Sequence, residues 1–159
     1  MTLKVGDRVP SCMVGTMTAD GPDVKSTDDV FKGKKVALFG LPGAFTKTCS
    51  SLHMPGFIYN AEKFREKGVD TIACMSVNDA FVMGAWGKDQ NADELLMLAD
   101  GNAELTKALG LEMDGSGFGM GTRCKRMAMI VDDGVVSHFA IEPPGGIVET
   151  AADKILSLL

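Results

Sequence analysis

One cysteine lies where its neighbours in the chain could activate it. Cys49 follows the apolar run of residues 36–40, which is typical of a strand covered on both faces, and it opens a segment with helical spacing. At the first turn of a helix, unpaired backbone N–H groups and the positive end of the dipole favour a thiolate over a thiol. Because the thiolate is the nucleophilic form, this position indicates nucleophilic cysteine chemistry.

Two residues before Cys49 could shape a pocket around its sulfur. Thr46 lies three residues earlier, and its hydroxyl is a rotatable donor and acceptor that can point into the same pocket. Pro42 fixes the direction of the chain and disfavours helical geometry at the residue before it. The expected pocket is narrow and partly dry, so a hydroperoxide would fit and a bulky electrophile would not.

The residues alone leave other interpretations of this segment to weigh. An inert buried thiol at Cys49 stays open. A phosphate-binding loop would place Lys47-Thr48 correctly, but that motif needs glycine before the lysine, where Thr46 stands. A dithiol oxidoreductase would need a cysteine at position 46 as the first of a Cys-x-x-Cys pair. Because position 46 is threonine, Cys49 cannot form such a local disulfide.

The other cysteines form no recognisable metal or disulfide pattern. Cys12, Cys74 and Cys124 stand alone in the sequence, and only His53 and His138 could join them as nitrogen ligands. We therefore expect no metal and no cofactor. Isolated cysteines are most often buried thiols in a reducing compartment, and Cys74, inside an apolar run, is expected in the core. We interpret His53, four residues after Cys49, as a structural histidine.

Length, composition and net charge limit the classes of protein to which this chain can belong. The chain has 159 residues, 45% of them hydrophobic and 23% charged, which predicts one globular domain over residues 1–159. A formal net charge of −5 gives no electrostatic reason to bind nucleic acid or an anionic membrane. No apolar stretch approaches the roughly 20 residues of a membrane span. Residues 1–7 contain no apolar signal region, so we expect a cytoplasmic location, although a targeting segment removed from a precursor would leave no trace.

Local patterns predict alternating strands and helices. The apolar runs 36–40 and 71–77 flank a helix over about 57–67 that ends at Gly68, which makes a βαβ unit with parallel strands. The remaining predicted elements are a capped turn at 26–29, a helix from the cap Asn78-Asp79 to Trp86, a strand over 95–99, a helix over 103–109, a hairpin of 126–131 with 135–141, and a terminal helix from Thr150.

This order of elements favours an α/β fold of thioredoxin-like type. The central sheet would be mixed, with parallel core strands, an antiparallel C-terminal hairpin and helices on both faces. A flavodoxin-like sheet would require parallel strands to the end of the chain, which the hairpin contradicts.

The same residues match a known family. Pro42-x-x-x-Thr46-x-x-Cys49 resembles the active-site signature of the peroxiredoxins. The wider segment 42–50, followed by His53-x-Pro55-Gly56-Phe57, is similar to the type II (type 5) branch. The likeness continues through residues 76–82, 98–100 and 123–134, so it spans nearly the whole chain.

The resemblance implies a reaction and assigns residues to it. Cys49 would attack hydrogen peroxide or a small alkyl hydroperoxide, release water or alcohol, and become a sulfenic acid. Arg126 would supply a guanidinium, with Thr46 and the backbone N–H of Cys49 completing the donors, and Pro42 belongs to the same signature. Without the resemblance, Arg126 would be interpreted as a surface charge on a strand.

The chain departs from the family pattern at two places. Lys47 stands where this branch usually has proline, and residues 146–151 contain no cysteine where animal relatives carry a resolving one. We therefore expect an external reductant, either glutathione with glutaredoxin or thioredoxin. The resemblance also implies a homodimer, with Phe45 and Trp86 as interface residues. The alternative function is a non-enzymatic redox sensor or holdase that uses the same cysteine.

Overall fold

A computed structural model describes residues 2–159. It contains nine strands and six α-helices. In chain order the strands are β1 Met13–Thr18, β2 Gly21–Ser26, β3 Lys35–Gly40, β4 Thr71–Ser76, β5 Leu95–Ala99, β6 Glu112–Asp114, β7 Thr122–Cys124, β8 Met127–Asp132 and β9 Val135–Ile141. The helices are α1 Thr27–Phe31, α2 Met54–Tyr59, α3 Ala61–Glu66, α4 Ala80–Asp89, α5 Glu104–Ala108 and α6 Ala152–Ser157; a π-helical turn, Cys49–His53, precedes α2, and a 3₁₀ turn, Ser116–Phe118, precedes β7.

Seven of the strands form one mixed sheet in the order β2-β1-β5-β4-β3-β8-β9. Strands β3, β4 and β5 are parallel, and the β8–β9 hairpin pairs antiparallel with β3 at one side, as predicted. A second hairpin, β1–β2, extends the other edge, and β6 pairs with β7 in a separate two-stranded sheet. Neither of these pairs was predicted, because β2 is a largely exposed edge strand without a clean alternation of apolar residues, and β6 and β7 have only three residues each.

The sheet is covered on both faces, and its central strands are accordingly apolar at consecutive interior positions. In β3, Val36 and Leu38 enter one core cluster, and Ala37 and Phe39 enter the other. Helices α1 and α5 cover the first cluster, while α2, α3, α4 and α6 cover the second. The thioredoxin-like α/β architecture is confirmed.

Some helix boundaries differ from the predicted ones for identifiable reasons. The helix expected over 57–67 is divided at Asn60, where φ and ψ are −97° and 10°, and it ends before Gly68, whose φ is +91°. The terminal helix starts at Ala152 instead of Thr150, because the N–H and hydroxyl of Thr150 both donate to the carboxylate of Glu142.

The turn of the β8–β9 hairpin lies where it was predicted, but it is one residue shorter than the predicted connection Asp132-Asp133-Gly134. Asp132 pairs with Val135, and the two residues between them, Asp133 and Gly134, have φ values of +48° and +83°. Two successive positive φ values match the right-handed twist of the flanking strands, which is why Asp-Gly is favoured there.

Replacing Gly134 by alanine should lower the free energy of unfolding by about 1–2 kcal/mol, since a side chain would be forced into the left-handed region. Urea unfolding measures the change. Gly117→Ala is the matched control, because an added Cβ there meets nothing within 4 Å and the φ of Gly117 is not positive. A Gly134→Ala variant as stable as the unmodified protein would contradict this turn.

Candidate active site

The loop between β3 and the following helical turn is held in one conformation by side-chain contacts. The Thr46 hydroxyl donates to the carbonyl of Gly43 at 2.6 Å, and the N–H of Ala44 donates to Asn78 Oδ1 at 3.0 Å. Between them, Phe45 has a φ of +63°, a conformation that costs free energy for any residue with a side chain. The hydrogen bonds on both sides of Phe45 hold this strained turn in place.

Pro42 is anchored through its carbonyl to the neighbouring two-stranded sheet. Arg123, in β7, donates from Nε to Met120 O at 2.8 Å and from Nη1 to Pro42 O at 3.4 Å. The guanidinium passes so close to Gly43 that a Cβ at that position would lie 2.9 Å from Nη1. Glycine at position 43 therefore permits the contact that fixes Pro42.

Cys49 lies in the first helical turn after this loop, where the sequence analysis placed it. The N–H of Ser50 donates to Thr46 O at 3.0 Å, and the N–H of Met54 donates to Cys49 O, which is the i+5 bond of a π-turn. Such turns are uncommon and frequently occur at functional sites. The side chain of Cys49 points inward, and the residue is only 1% exposed.

Trp86 has a different role from the one expected. It was predicted as an interface residue, but its side chain is completely buried in the core, and its indole N–H donates to Ser50 Oγ at 3.0 Å. The expectation for Trp86 was wrong because an amphipathic aromatic residue can satisfy its N–H inside a core as well as at an interface. Trp86 instead links α4 to the turn that carries Cys49.

Arg126, 77 residues later in the chain, reaches the sulfur of Cys49. Its Nη2 lies 3.2 Å from Cys49 Sγ. Arg126 immediately precedes β8, and the pairing of Met127 with Gly40 brings the start of β8 to the carboxyl end of β3. The antiparallel register of these two strands therefore brings the guanidinium to the thiol.

His53 contacts the same guanidinium. Its Nδ1 lies 2.8 Å from Arg126 Nη1, and its Nε2 lies 3.0 Å from the carbonyl of Thr150. A carbonyl can only accept, so Nε2 carries the proton, and Nδ1 accepts from the permanently charged guanidinium. His53 is therefore a neutral imidazole with both nitrogens satisfied.

Electrostatics agree with this tautomer. Burial and the charge of Arg126 lower the pKa of His53 to about 4, against smaller opposite effects of the Thr150 carbonyl and Glu142. The ring packs against Phe39 and Phe57, with centroids 5.0 and 5.7 Å away. His53 thus stays uncharged at neutral pH.

The other three cysteines are free thiols in the core. Burial raises the pKa of Cys12, of Cys74 and of Cys124, in the last case to about 12. These thiols are therefore protonated and unreactive at neutral pH. The core location predicted for Cys74 is confirmed, since its exposure is 0%.

Two further properties of the described residues bear on the site. Across residues 2–159, no group of three or more histidine, cysteine, aspartate or glutamate side chains is placed to hold a metal ion. Within the same range, no helix has both the length and the apolar character needed to cross a membrane.

Comparison with known proteins identifies the family. The Redoxin family model matches residues 4–156. Peroxiredoxin-2E, chloroplastic, from Arabidopsis thaliana is 44% identical over 163 residues, which cover 99% of this chain and 70% of that protein. The chain belongs to the peroxiredoxin family.

Solved structures place the chain among the peroxiredoxins by shape as well. Reduced Prx3 from Vibrio vulnificus, in complex with hydrogen peroxide, superposes with a TM-score of 0.96 at 50% identity, and 99% of each chain is covered. Peroxiredoxin 5 from Alvinella pompejana gives a TM-score of 0.87 at 36% identity, with 98% of this chain and 96% of that one covered. The resemblance inferred from the sequence motifs is confirmed, and with it a thiol-dependent peroxidase activity.

Asn78, Glu142 and Thr150 support the site of this peroxiredoxin, although they were not predicted as site residues. Asn78 follows the carboxyl end of β4, the sheet edge where α/β sites form, so its position was a usable signal. Glu142 and Thr150, by contrast, lie beside exposed loop residues, and nothing in the local sequence indicates that they are buried.

The neutral state of His53 predicts a pH-dependent stability. Between pH 6.5 and about 4 the unfolded chain binds a proton at His53 that the folded protein does not, so stability falls as the pH drops through this window. The total change is roughly 3 kcal/mol. Chemical unfolding of the unmodified protein and of His53→Gln gives the difference between their free energies of unfolding. The advantage of the unmodified protein should be smaller at pH 4 than at pH 7 by this amount. A constant advantage would contradict a neutral, buried His53.

Proposed function

We propose that Cys49 is the nucleophile of a peroxidase that reduces hydrogen peroxide and small alkyl hydroperoxides. The observation that carries this proposal is the 3.2 Å contact between Arg126 Nη2 and Cys49 Sγ, on a cysteine in the first turn of a helix. A fixed positive charge beside the sulfur favours the thiolate, which is the form that attacks peroxides.

The proposed reaction follows from the groups in contact with the sulfur. The Cys49 thiolate attacks the hydroxyl oxygen of the hydroperoxide, an S–O bond forms and the O–O bond breaks. The departing oxygen leaves with the electron pair and takes a proton from solvent, giving water or an alcohol, while Cys49 is oxidised to a sulfenic acid. Negative charge moves from sulfur to the leaving oxygen during this step.

Arg126 and Thr46 are proposed to bind the peroxide along the line on which negative charge moves from the sulfur to the leaving oxygen. The Arg126 guanidinium stays charged and can donate to both the sulfur and a peroxide oxygen, so it stabilises the charge as it moves. The Thr46 hydroxyl already donates to Gly43 O, which leaves its lone pairs to accept from the hydroperoxide O–H. Pro42, anchored by Arg123, would form the wall that keeps this pocket narrow.

The near-complete burial of Cys49 supports the proposal that its substrates are small. A groove of about 760 Å³ opens beside the site, and its lining includes Pro42, Leu52, Lys125, Arg126 and Ile141. The groove gives the substituent of an alkyl hydroperoxide or an incoming thiol somewhere to lie. The structure of Vibrio vulnificus Prx3 with hydrogen peroxide supports the same substrate class.

An external thiol is proposed to reduce the Cys49 sulfenic acid. Position 151, next to Thr150, is alanine, and the thiols of Cys12, Cys74 and Cys124 are buried and protonated. Glutathione with glutaredoxin is the favoured reductant, and thioredoxin is the alternative. Glutathione is a small anionic thiol, and the lining of the groove has two cations, Lys125 and Arg126, against one carboxylate, Glu142.

The assembly and location of the protein are part of the same proposal. We propose a homodimer of single-domain chains, supported by Phe45 and Phe118, whose side chains are 54% and 90% exposed. A cytoplasmic location stays a prediction, since the related Arabidopsis thaliana protein is named as chloroplastic.

Cys49→Ser should abolish the consumption of hydrogen peroxide driven by glutathione and glutaredoxin, because serine has no accessible anionic form at neutral pH. Coupled turnover measures this. Cys12→Ser is the matched control, as it makes the same change in the core cluster on the other face of the sheet, and it should retain activity. One oxidation of Cys49 without turnover by any thiol reductant would instead indicate a redox sensor or holdase.

Intact-mass analysis tests the external reductant. After one equivalent of hydrogen peroxide the chain should gain one oxygen atom, and glutathione should then replace that oxygen as a mixed disulfide on Cys49. The buried state of the other thiols is the reason for this expectation. The loss of two hydrogens, from a disulfide of Cys49 with Cys12, Cys74 or Cys124, would contradict it.

A further inference from the structure

Four residues from distant parts of the chain form a closed ring of hydrogen bonds that begins and ends at Arg126. Arg126 Nη1 donates to His53 Nδ1 at 2.8 Å, and His53 Nε2 donates to Thr150 O at 3.0 Å. The N–H and hydroxyl of Thr150 donate to Glu142 Oε2 at 2.8 and 2.9 Å. The N–H of Glu142 donates back to Arg126 O at 2.9 Å. We call Arg126, His53, Thr150 and Glu142 the arginine ring.

Glu142 is an unusual member of the arginine ring. It is only 9% exposed, and no salt bridge to it exists within residues 2–159. Burial by itself would raise the pKa of Glu142, but hydrogen bonds from Val148 and Thr150 outweigh it and lower that pKa. An ionised carboxylate that is largely withdrawn from water is costly, and here its stabilisation comes from the backbone and hydroxyl donors of its own loop.

The location of Thr150 depends on these bonds. The segment from Glu142 to Thr150 begins with the stiff pair Pro143-Pro144, but Gly145, with a φ of +89°, and Gly146 follow, so the chain by itself does not fix the direction in which it continues to Thr150. Glu142 Oε1 accepts from the Val148 N–H at 2.6 Å, and Oε2 accepts both donors of Thr150. The carboxylate therefore closes this segment and presents the Thr150 carbonyl to His53.

We propose that Glu142 is a positioning residue for peroxide reduction, acting through Thr150 and His53 to orient the Arg126 guanidinium against Cys49. This inference rests on the proposed function of Cys49 and Arg126. Arginine is long and flexible, and its two contacts, one to the thiol and one to the imidazole, define the plane of the guanidinium. If the Thr150 carbonyl moved, the imidazole would turn and the guanidinium would lose its alignment with the sulfur.

Glu142→Gln tests the proposal, because it keeps the shape but replaces one acceptor oxygen by a donor. At least one bond to Val148 or Thr150 must be lost. The rate constant for oxidation of Cys49 by hydrogen peroxide, followed by stopped-flow fluorescence of Trp86, should fall about tenfold. Glu149→Gln, at an exposed position of the same segment, is the matched control and should change the rate less than about twofold.

A second readout separates positioning from a merely structural effect. Alkylation of Cys49 by iodoacetamide requires access to the sulfur but no donor aligned with a peroxide. At a pH high enough for Cys49 to be fully ionised in both proteins, the rate constant for alkylation should differ by less than about twofold between Glu142→Gln and the unmodified protein. General loosening of the site would instead raise alkylation together with the loss of peroxidase rate, and that result would overturn the proposal.

A double-mutant cycle with Arg126→Lys decides whether Glu142 acts through Arg126. In the Arg126→Lys background, Glu142→Gln should cause no further loss, whereas independent, additive losses would refute the proposal. If Arg126→Lys leaves the rate unchanged, the proposed function itself fails. If Arg126→Lys slows oxidation and Glu142→Gln does not, only the role of Glu142 fails.

Thr150→Val provides a milder test in case Glu142→Gln does not fold. It removes the hydroxyl donor to Glu142 and keeps the carbonyl that accepts from His53. A smaller fall in the peroxide rate constant, restored by Thr150→Ser, would support the arginine ring. An unchanged rate constant would contradict it.

Discussion

The contact between a guanidinium and a buried sulfur is the constraint around which this peroxiredoxin is arranged. Cys49 is almost inaccessible to water, so the groups that contact its sulfur belong to the protein. The guanidinium of Arg126 is one of these groups, with Nη2 at 3.2 Å from Cys49 Sγ. His53 contacts the same guanidinium, and the hydrogen bonds of Thr46 and Ala44 hold the loop that leads to Cys49.

The mixed sheet is what makes this contact possible. Parallel strands bring the carboxyl ends of β3 and β4 to one edge, where the loop carrying Cys49 leaves the sheet. An antiparallel β8 then begins at that same edge, so the residue just before it, Arg126, arrives beside the loop. A fully parallel sheet would have placed the start of β8 at the opposite edge.

His53 contacts the guanidinium of Arg126 as a neutral imidazole, and its lack of charge matters for this contact. A charged imidazole would repel Arg126 and could no longer accept from it, while a carboxylate in direct contact would neutralise the guanidinium. Neutral His53 instead accepts one hydrogen bond and leaves the positive charge of Arg126 available. The ionised carboxylate of Glu142 lies farther along the arginine ring, where it organises a glycine-containing segment without contacting the guanidinium side chain.

The sequence by itself determined the parts of this protein that depend on neighbouring residues and on family motifs. Apolar runs identified the central strands, Asp133-Gly134 identified a hairpin turn, and the Pro-Thr-Cys spacing identified the family. The tertiary structure alone decided the contacts between distant segments: Arg126 lies 77 residues from Cys49, and Thr150 lies 97 residues from His53. Local patterns encode burial periodicity and turn geometry, whereas such contacts depend on strand order and register, which are set by the packing of the whole chain.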